Sequence, residues 1–291
     1  MIAKPGRRDG LFADPLFIAG AALAALAALS AAFGHWLTPF SPDEVTDIVS
    51  EPPPPIADWP NLFVAALGGE GVHWFGTDAA GFDVFARTLA AARTDLLIAV
   101  AAAAISAAIG APLGVIAGAV RTPATEALAR ASDVLQSFPV FITAMVLVAL
   151  AGRSWASIVL AMTLLYAPIF LRLTRAEALA VSARGYVEAA RIAGVPGWRI
   201  ALQHVAPNAL GPALSQLSVT IGFAILLTAG LSFVGAGVRP PTPEWGLMIA
   251  QGAGQIVLGD WWPALFPGAA ITLTVFGFAA MGQSLEARYG R

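Results

Sequence analysis

Cysteine is absent from the 291 residues, and lysine occurs once, at Lys4. The first absence excludes disulfides, thiolate metal sites and a catalytic thiol. The second excludes a G-x-x-x-x-G-K-[ST] phosphate loop, so any nucleotide chemistry has to belong to another chain. Charge of either sign is also scarce. Asp, Glu, Lys and Arg make up 12% of the residues against 58% hydrophobic, and mean hydropathy is +0.75, a balance that belongs in a membrane rather than in a soluble domain. The three histidines, His35, His73 and His204, all fall outside the apolar runs, so no imidazole base lies at membrane depth.

What the chain has in quantity is apolar runs. Stretches near the roughly 20 residues that cross a bilayer occur at 15–34, 96–120, 134–152, 155–171, 207–234 and 265–285. They predict an all-α integral membrane protein of about six transmembrane helices with both termini on one side. Lys4, Arg7, Arg8, Arg121, Arg130, Arg172, Arg175, Arg184, Arg191, Arg199, Arg288 and Arg291 fall on the side of the termini, and only Arg87, Arg93, Arg153 and Arg239 on the other. Basic residues mark the cytoplasmic side, so the N and C termini are expected there. The first run also reads as a signal peptide, with Ser30, Ala31 and Ala32 near a cleavage point. It exceeds the roughly 7 to 15 apolar residues of such a segment, which favours a retained helix.

Residues 35–88 form the one long extramembrane stretch, rich in Asp and Glu, with Arg87 as its single base. The proline run at 52–55 predicts a stiff extended spacer, and little secondary structure is expected before Trp74. His73, Asp78 and Asp83 lack metal-ligand spacing and fit turn-forming roles better. In the second run, Gly110, Gly114 and Gly118 make a small-residue ridge for close helix packing. Pro112, Pro139 and Pro168 are expected bends. Residues 235–264, with Trp245, Trp261 and Trp262, read as an outside loop containing a short helix near 245–251.

The polar insert 185–207, GYVEAARIAGVPGWRIALQHVAP, stands apart. Residues 184–193 favour a helix, Gly194 suits the position after its last turn, and Pro196 follows as a stop. A second helix from Gly197 would carry Trp198, Ala201, Leu202 and Val205 on one face and Arg199, Gln203 and His204 on the other, with Pro207 ending it. Physics alone favours an ordinary loop with Glu188 paired to Arg184 or Arg191.

The spacing here, Glu188, Ala189, Ala190, three residues, Gly194, and Pro207 thirteen further on, resembles the E-A-A signature of permease subunits of ABC importers. HWFGTDAAGFDVFAR (73–87), SDVLQSFP (132–139), HVAPNALGP (204–212) and LSFVGAGVRPPTPEWGLMI (231–249) extend it to the second permease of the dipeptide, oligopeptide, glutathione and nickel group. The resemblance covers about 73–291, with 1–72 matching only as one helix and an outside segment. It implies a type I ABC importer transmembrane fold with a core at about 89–285, in a bacterial inner membrane. It further implies a coupling loop at 184–207 in which Glu188, Ala189, Ala190, Gly194, Val195, Trp198, Arg199 and Pro207 meet an ATPase subunit. The implied partners are two ATPase subunits carrying ATP and Mg, a second homologous permease, an extracytoplasmic substrate-binding protein and membrane lipid, with no nucleic acid and no cofactor or metal on this chain. Ala206 departs from the usual Leu before the proline, and Phe82 from a common Arg.

Gln136, Thr143, Gln216, Thr220 and Thr228 are candidate pore-lining residues, or equally hydrogen-bonding glue between helices. Two other classes remain open at this point. An ion-coupled carrier would be expected to hold ionisable side chains near the middle of its spans, and none is found there. An intramembrane hydrolase would need a Ser with a base, or paired carboxyls, at membrane depth.

Overall fold

A computed structural model describes residues 13–67, 71–120 and 122–289. Lys4, Arg7, Arg8, Arg121 and Arg291, used above for orientation, lie outside the described residues. Twelve α-helices and no strand form among the described residues. Five helices are long and apolar enough to cross a bilayer: α1 (Pro15–Phe33), α3 (Val84–Ala119), α6 (Trp155–Ser182), α10 (Gly211–Phe233) and α12 (Trp262–Tyr289). A sixth span exists only as a broken pair. Helices α4 (Pro123–Gln136) and α5 (Val140–Ala151) meet at 94°. The span expected over 134–152 is thus broken at the expected Pro139 bend: Pro139 disfavours helix at Phe138, and 12 residues of α5 reach only about 18 Å.

The helix α3 starts twelve residues before its predicted boundary. Its 36 residues run about 54 Å, well beyond the hydrocarbon core. Asp83 caps the start, its Oδ1 accepting the Ala86 N–H. The extension also carries Arg87 and Asp95 into the helix, both buried.

Helices α3 and α6 form the central pair, and the glycine ridge sets their distance. A Cβ on Gly110 would lie 2.2 Å from the Ala167 carbonyl oxygen, on Gly114 2.0 Å from Thr174 Oγ1, and on Gly118 2.5 Å from Ala178 Cβ. Backbone contact this close lets the Thr174 hydroxyl donate across the interface to the Ala111 carbonyl at 3.0 Å. Around this pair, α10 packs on α3 and α12, and α1 lies against α12 and α3. Beside this pair Arg175 of α6 pairs with Glu126 of α4 at 2.6 Å. Glu126 is 46% exposed, so Glu126→Ala should cost less than about 1 kcal/mol in a denaturation assay of the purified chain.

A cap closes the other end, where the sequence predicted little order. A short helix, α2 (Trp59–Leu67), forms before Trp74, contrary to that expectation. Its residues are apolar apart from Asn61, and so lack the polar-apolar alternation that would announce a surface helix. Arg87 binds the cap together. Its guanidinium donates to the carbonyls of Pro42 and Pro241 at 3.2 and 2.8 Å and lies 4.1 Å over the Phe82 ring. The indole N–H of Trp262 donates to the Thr77 carbonyl, and that of Trp245 to the Thr88 carbonyl. Asp78 makes the turn expected of it, accepting N–H bonds from Ala80 and Phe82. His73 Nδ1 sits 2.7 Å from Asp83 Oδ2 and stacks on Phe40. Burial raises the Asp83 carboxyl above its ordinary range, outweighing the Ala86 N–H and His73.

Helix α11 (Trp245–Ala253) covers the predicted short helix and is seated by two carboxylates. Glu244 accepts the N–H groups of Gly246 and Leu247, and Asp95 accepts that of Trp245 at 3.0 Å. These are three of the four donors that a helix start leaves unsatisfied, and both acids are fully buried.

Candidate functional site

The insert folds into a knob at the end of the bundle opposite the cap. Helix α7 (Gly185–Ile192) rises from the end of α6 and closes with two bonds that run backward over its last turn. The Gly194 N–H donates to the Arg191 carbonyl at 3.0 Å, and the Val195 N–H to the Ala190 carbonyl at 3.1 Å. This closure requires a left-handed residue, and Gly194 has φ +76°. A Cβ there would meet nothing within 4 Å, so glycine is needed for its backbone and not for room.

Helix α8 (Gly197–Ile200) then turns back toward the membrane. It passes into a π-helical stretch at Ala201–Val205, where the Ala206 N–H reaches the Ala201 carbonyl five residues back. Pro207 lies at the start of α9 (Ala206–Ala209) and has no N–H to give. The wider turn before it takes up that missing donor. Pro207 therefore sits within a near-continuous run from α8 to α10 and does not end the second helix, as the sequence had implied.

The four residues expected on one face of this run separate. Ala201 and Val205 are buried with Ile200 and Ala209, whereas Trp198 and Leu202 are 61% and 63% exposed. The π turn explains the separation, because one extra residue rotates the face by roughly a quarter turn relative to a regular helix.

Val187 of α7 is fully buried and joins Ile200, Val205 and Ala209 in one cluster with Val115 of α3 and Ala178 and Val181 of α6. The knob is thus packed against the ends of the two central helices and is continuous with α10. Replacing Val187 by Ala should loosen that seat by about 1.5 to 3 kcal/mol, measurable as faster proteolysis between residues 184 and 200.

The opposite surface of the knob is open. Glu188, Ala189, Gly194, Trp198, Arg199 and Pro207 are exposed, and Ala190 and Val195 half-buried. Among the described residues Glu188 makes no ion pair, so it is paired to neither Arg184 nor Arg191. An exposed carboxylate and an exposed indole on a rigid turn form a surface suited to another protein.

Residues 110–291 match the family described as the binding-protein-dependent transport system inner membrane component. The chain belongs to this family. It is 36% identical over 257 residues to a dipeptide transport system permease of Escherichia coli, covering 88% of this chain and 82% of the relative. A di/tripeptide transport system permease of Pseudomonas aeruginosa is 34% identical over 88% of this chain and 81% of its own length. A glutathione transport system permease of Pectobacterium atrosepticum is 35% identical over 75% and 72%. The chain is therefore a permease subunit of a binding-protein-dependent importer, a multi-pass protein of the bacterial inner membrane with the type I ABC importer fold.

The pore candidates separate into two groups. Gln136 and Thr143 flank the α4/α5 bend, half-exposed, with the Thr143 hydroxyl donating to the Pro139 carbonyl. Gln216 is half-exposed and donates to Thr220 at 3.2 Å. Thr220 and Thr228 are 1% and 0% exposed. The Thr228 hydroxyl donates to the Ala224 carbonyl and lies 3.7 Å from Met162 Sδ, inside the bundle. Both threonines are packed inside the bundle of this chain and reach no open surface of it.

Sequence reasoning missed the Asp95 and Glu244 seat of α11. Asp95 stood one residue before the predicted span, and Glu244 read as part of a polar loop. The early start of α3 carries an ionisable residue into a membrane helix, so the absence of charge that argued against a carrier is less complete than it looked. One Asp95 oxygen and both Glu244 oxygens accept backbone N–H groups, and both side chains are sealed from solvent, which suits helix seating and leaves a substrate no access.

Proposed function

We propose that this chain forms one half of a translocation pore for peptides or similar small polar solutes, and that the knob at 184–207 couples it to a separate ATPase subunit. Two such ATPase subunits would bind ATP and Mg, and a second homologous permease and an extracytoplasmic binding protein would complete the importer. The observation that carries the reading is the seating of the knob. Its exposed face bears Glu188, Gly194 and Trp198, while its buried face locks Val187 and Val205 onto the ends of α3 and α6. A partner closing on the exposed face moves those helices as a body, since a packed cluster transmits a displacement that a loose linker would absorb.

Orientation follows the same reading. The start of α1 and the end of α12 lie at the knob's end of the bundle, because Trp36 and Phe85 line one groove at the cap and Trp262 is bound to Thr77. Basic residues put this end in the cytoplasm, where ATP is. Peptides are favoured as cargo by the named substrates of the relatives, and the lining offered by Gln136, Thr143 and Gln216 is polar and uncharged. Reconstitution tests the reading: vesicles holding both permeases and the ATPase should take up peptide only with binding protein outside and ATP inside. Uptake by this chain alone would overturn it.

A further inference from the structure

The cap carries an apolar surface that the transport reading leaves unexplained. Helix α2 leaves Trp59, Phe63 and Val64 exposed at 39, 60 and 68%, and Ile56 just before it at 78%. A groove of about 790 Å³ runs beside it, walled by Trp36, Leu37, Trp59, Phe63, Trp74 and Phe85, with no ionisable side chain among the described residues of its lining. A surface of this kind has to be covered, since bare apolar area in water costs about 25 cal/mol per Å².

We infer that the groove holds an acyl chain of a phospholipid from the leaflet opposite the knob. Position is the first argument. Trp36 ends the apolar span Pro15–Trp36, and Phe85 is the second residue of α3, so the groove opens at the rim of two membrane helices. Continuity is the second. Ile18, Leu26, Leu29, Phe33 and Trp36 are exposed and recur at helical spacing, making one stripe along α1 that faces lipid and runs directly into the groove wall. The tryptophans are the third: indoles concentrate at headgroup depth, and the Trp59 N–H is already satisfied by the Pro54 carbonyl at 3.2 Å. A soluble partner that binds reversibly would leave the face bare whenever it is away. Lipid is present throughout.

The inference rests on the proposed orientation only for the choice of leaflet, and its test does not involve transport. The assembled importer is placed in nanodiscs of phosphatidylethanolamine carrying a diazirine midway along one acyl chain, irradiated and mapped by peptide mass spectrometry. Adducts are expected both on residues 26–33 of α1 and on residues 59–66 of α2. In a Phe63→Asp variant the α2 adducts should be lost and the α1 adducts retained. Adducts on α1 with none on α2 in the unaltered protein would overturn the inference, and would mean that a protein partner covers the helix instead. Adducts on α2 that survive Phe63→Asp unchanged would equally overturn it, by showing contact with bulk lipid and no groove-bound chain.

Discussion

Replacing Gly194 by Val should leave the importer assembled in the membrane and reduce peptide uptake by about 5- to 30-fold. Valine at φ +76° pays the left-handed penalty of about 1 to 2 kcal/mol, more for a β-branched residue, and that is the factor by which the closed turn is depopulated. No clash contributes, because nothing lies within 4 Å of the added Cβ. This separates the backbone from the surface as the cause. Gly194→Asn adds a larger polar group at the same exposed point but tolerates the left-handed conformation, and should keep most of the uptake. Equal loss in both variants would mean that the side-chain surface at 194, and not the closure of the turn, is what the partner reads.

The second large effect lies in the membrane. Gly114→Leu should prevent accumulation of folded chain, since its Cβ would meet Thr174 Oγ1 at 2.0 Å and the Leu171 carbonyl oxygen at 2.4 Å, neither of which can withdraw without parting α3 from α6. Overpacking of this kind costs about 1 to 3 kcal/mol where the surroundings relax and more where backbone faces backbone. The separation would also break the Thr174 bond to the Ala111 carbonyl. Thr174→Ala removes the hydroxyl and makes space, so combining it with Gly114→Ala should recover part of the yield seen by size-exclusion chromatography. Gly222→Ala is a control on the same assay, because its Cβ would meet nothing nearer than 3.5 Å and should change little.

The sequence made the knob legible because backbone rules are local. Gly194 requires a left-handed turn and Pro196 a stop whatever surrounds them, and both are found where the pattern put them. The spans were legible for a related reason, since a bilayer demands apolar length. What escaped was set by distant neighbours. Arg87 can be buried only because Pro42 and Pro241, far apart in sequence, both present carbonyls to it. Asp95 can be buried only because α11 brings the Trp245 N–H to it. Hydropathy alone penalises both residues and so placed the start of α3 at 96. Trp198 and Leu202 part from Ala201 and Val205 for a third reason: a regular period was assumed where a π turn precedes Pro207. Thr228 shows how a hydroxyl satisfied by its own helix can be packed as tightly as a valine.

Because the chain has no native cysteine, an introduced thiol is the only one on this subunit and reports on the central claim from a single known position. In an Ala189→Cys variant of the complete importer, a short bifunctional crosslinker should join residue 189 to the ATPase subunit, with a yield that changes when ATP is added. Failure of residue 189 to reach the ATPase, together with its labelling by a membrane-impermeant maleimide applied from outside the cell, would contradict the account.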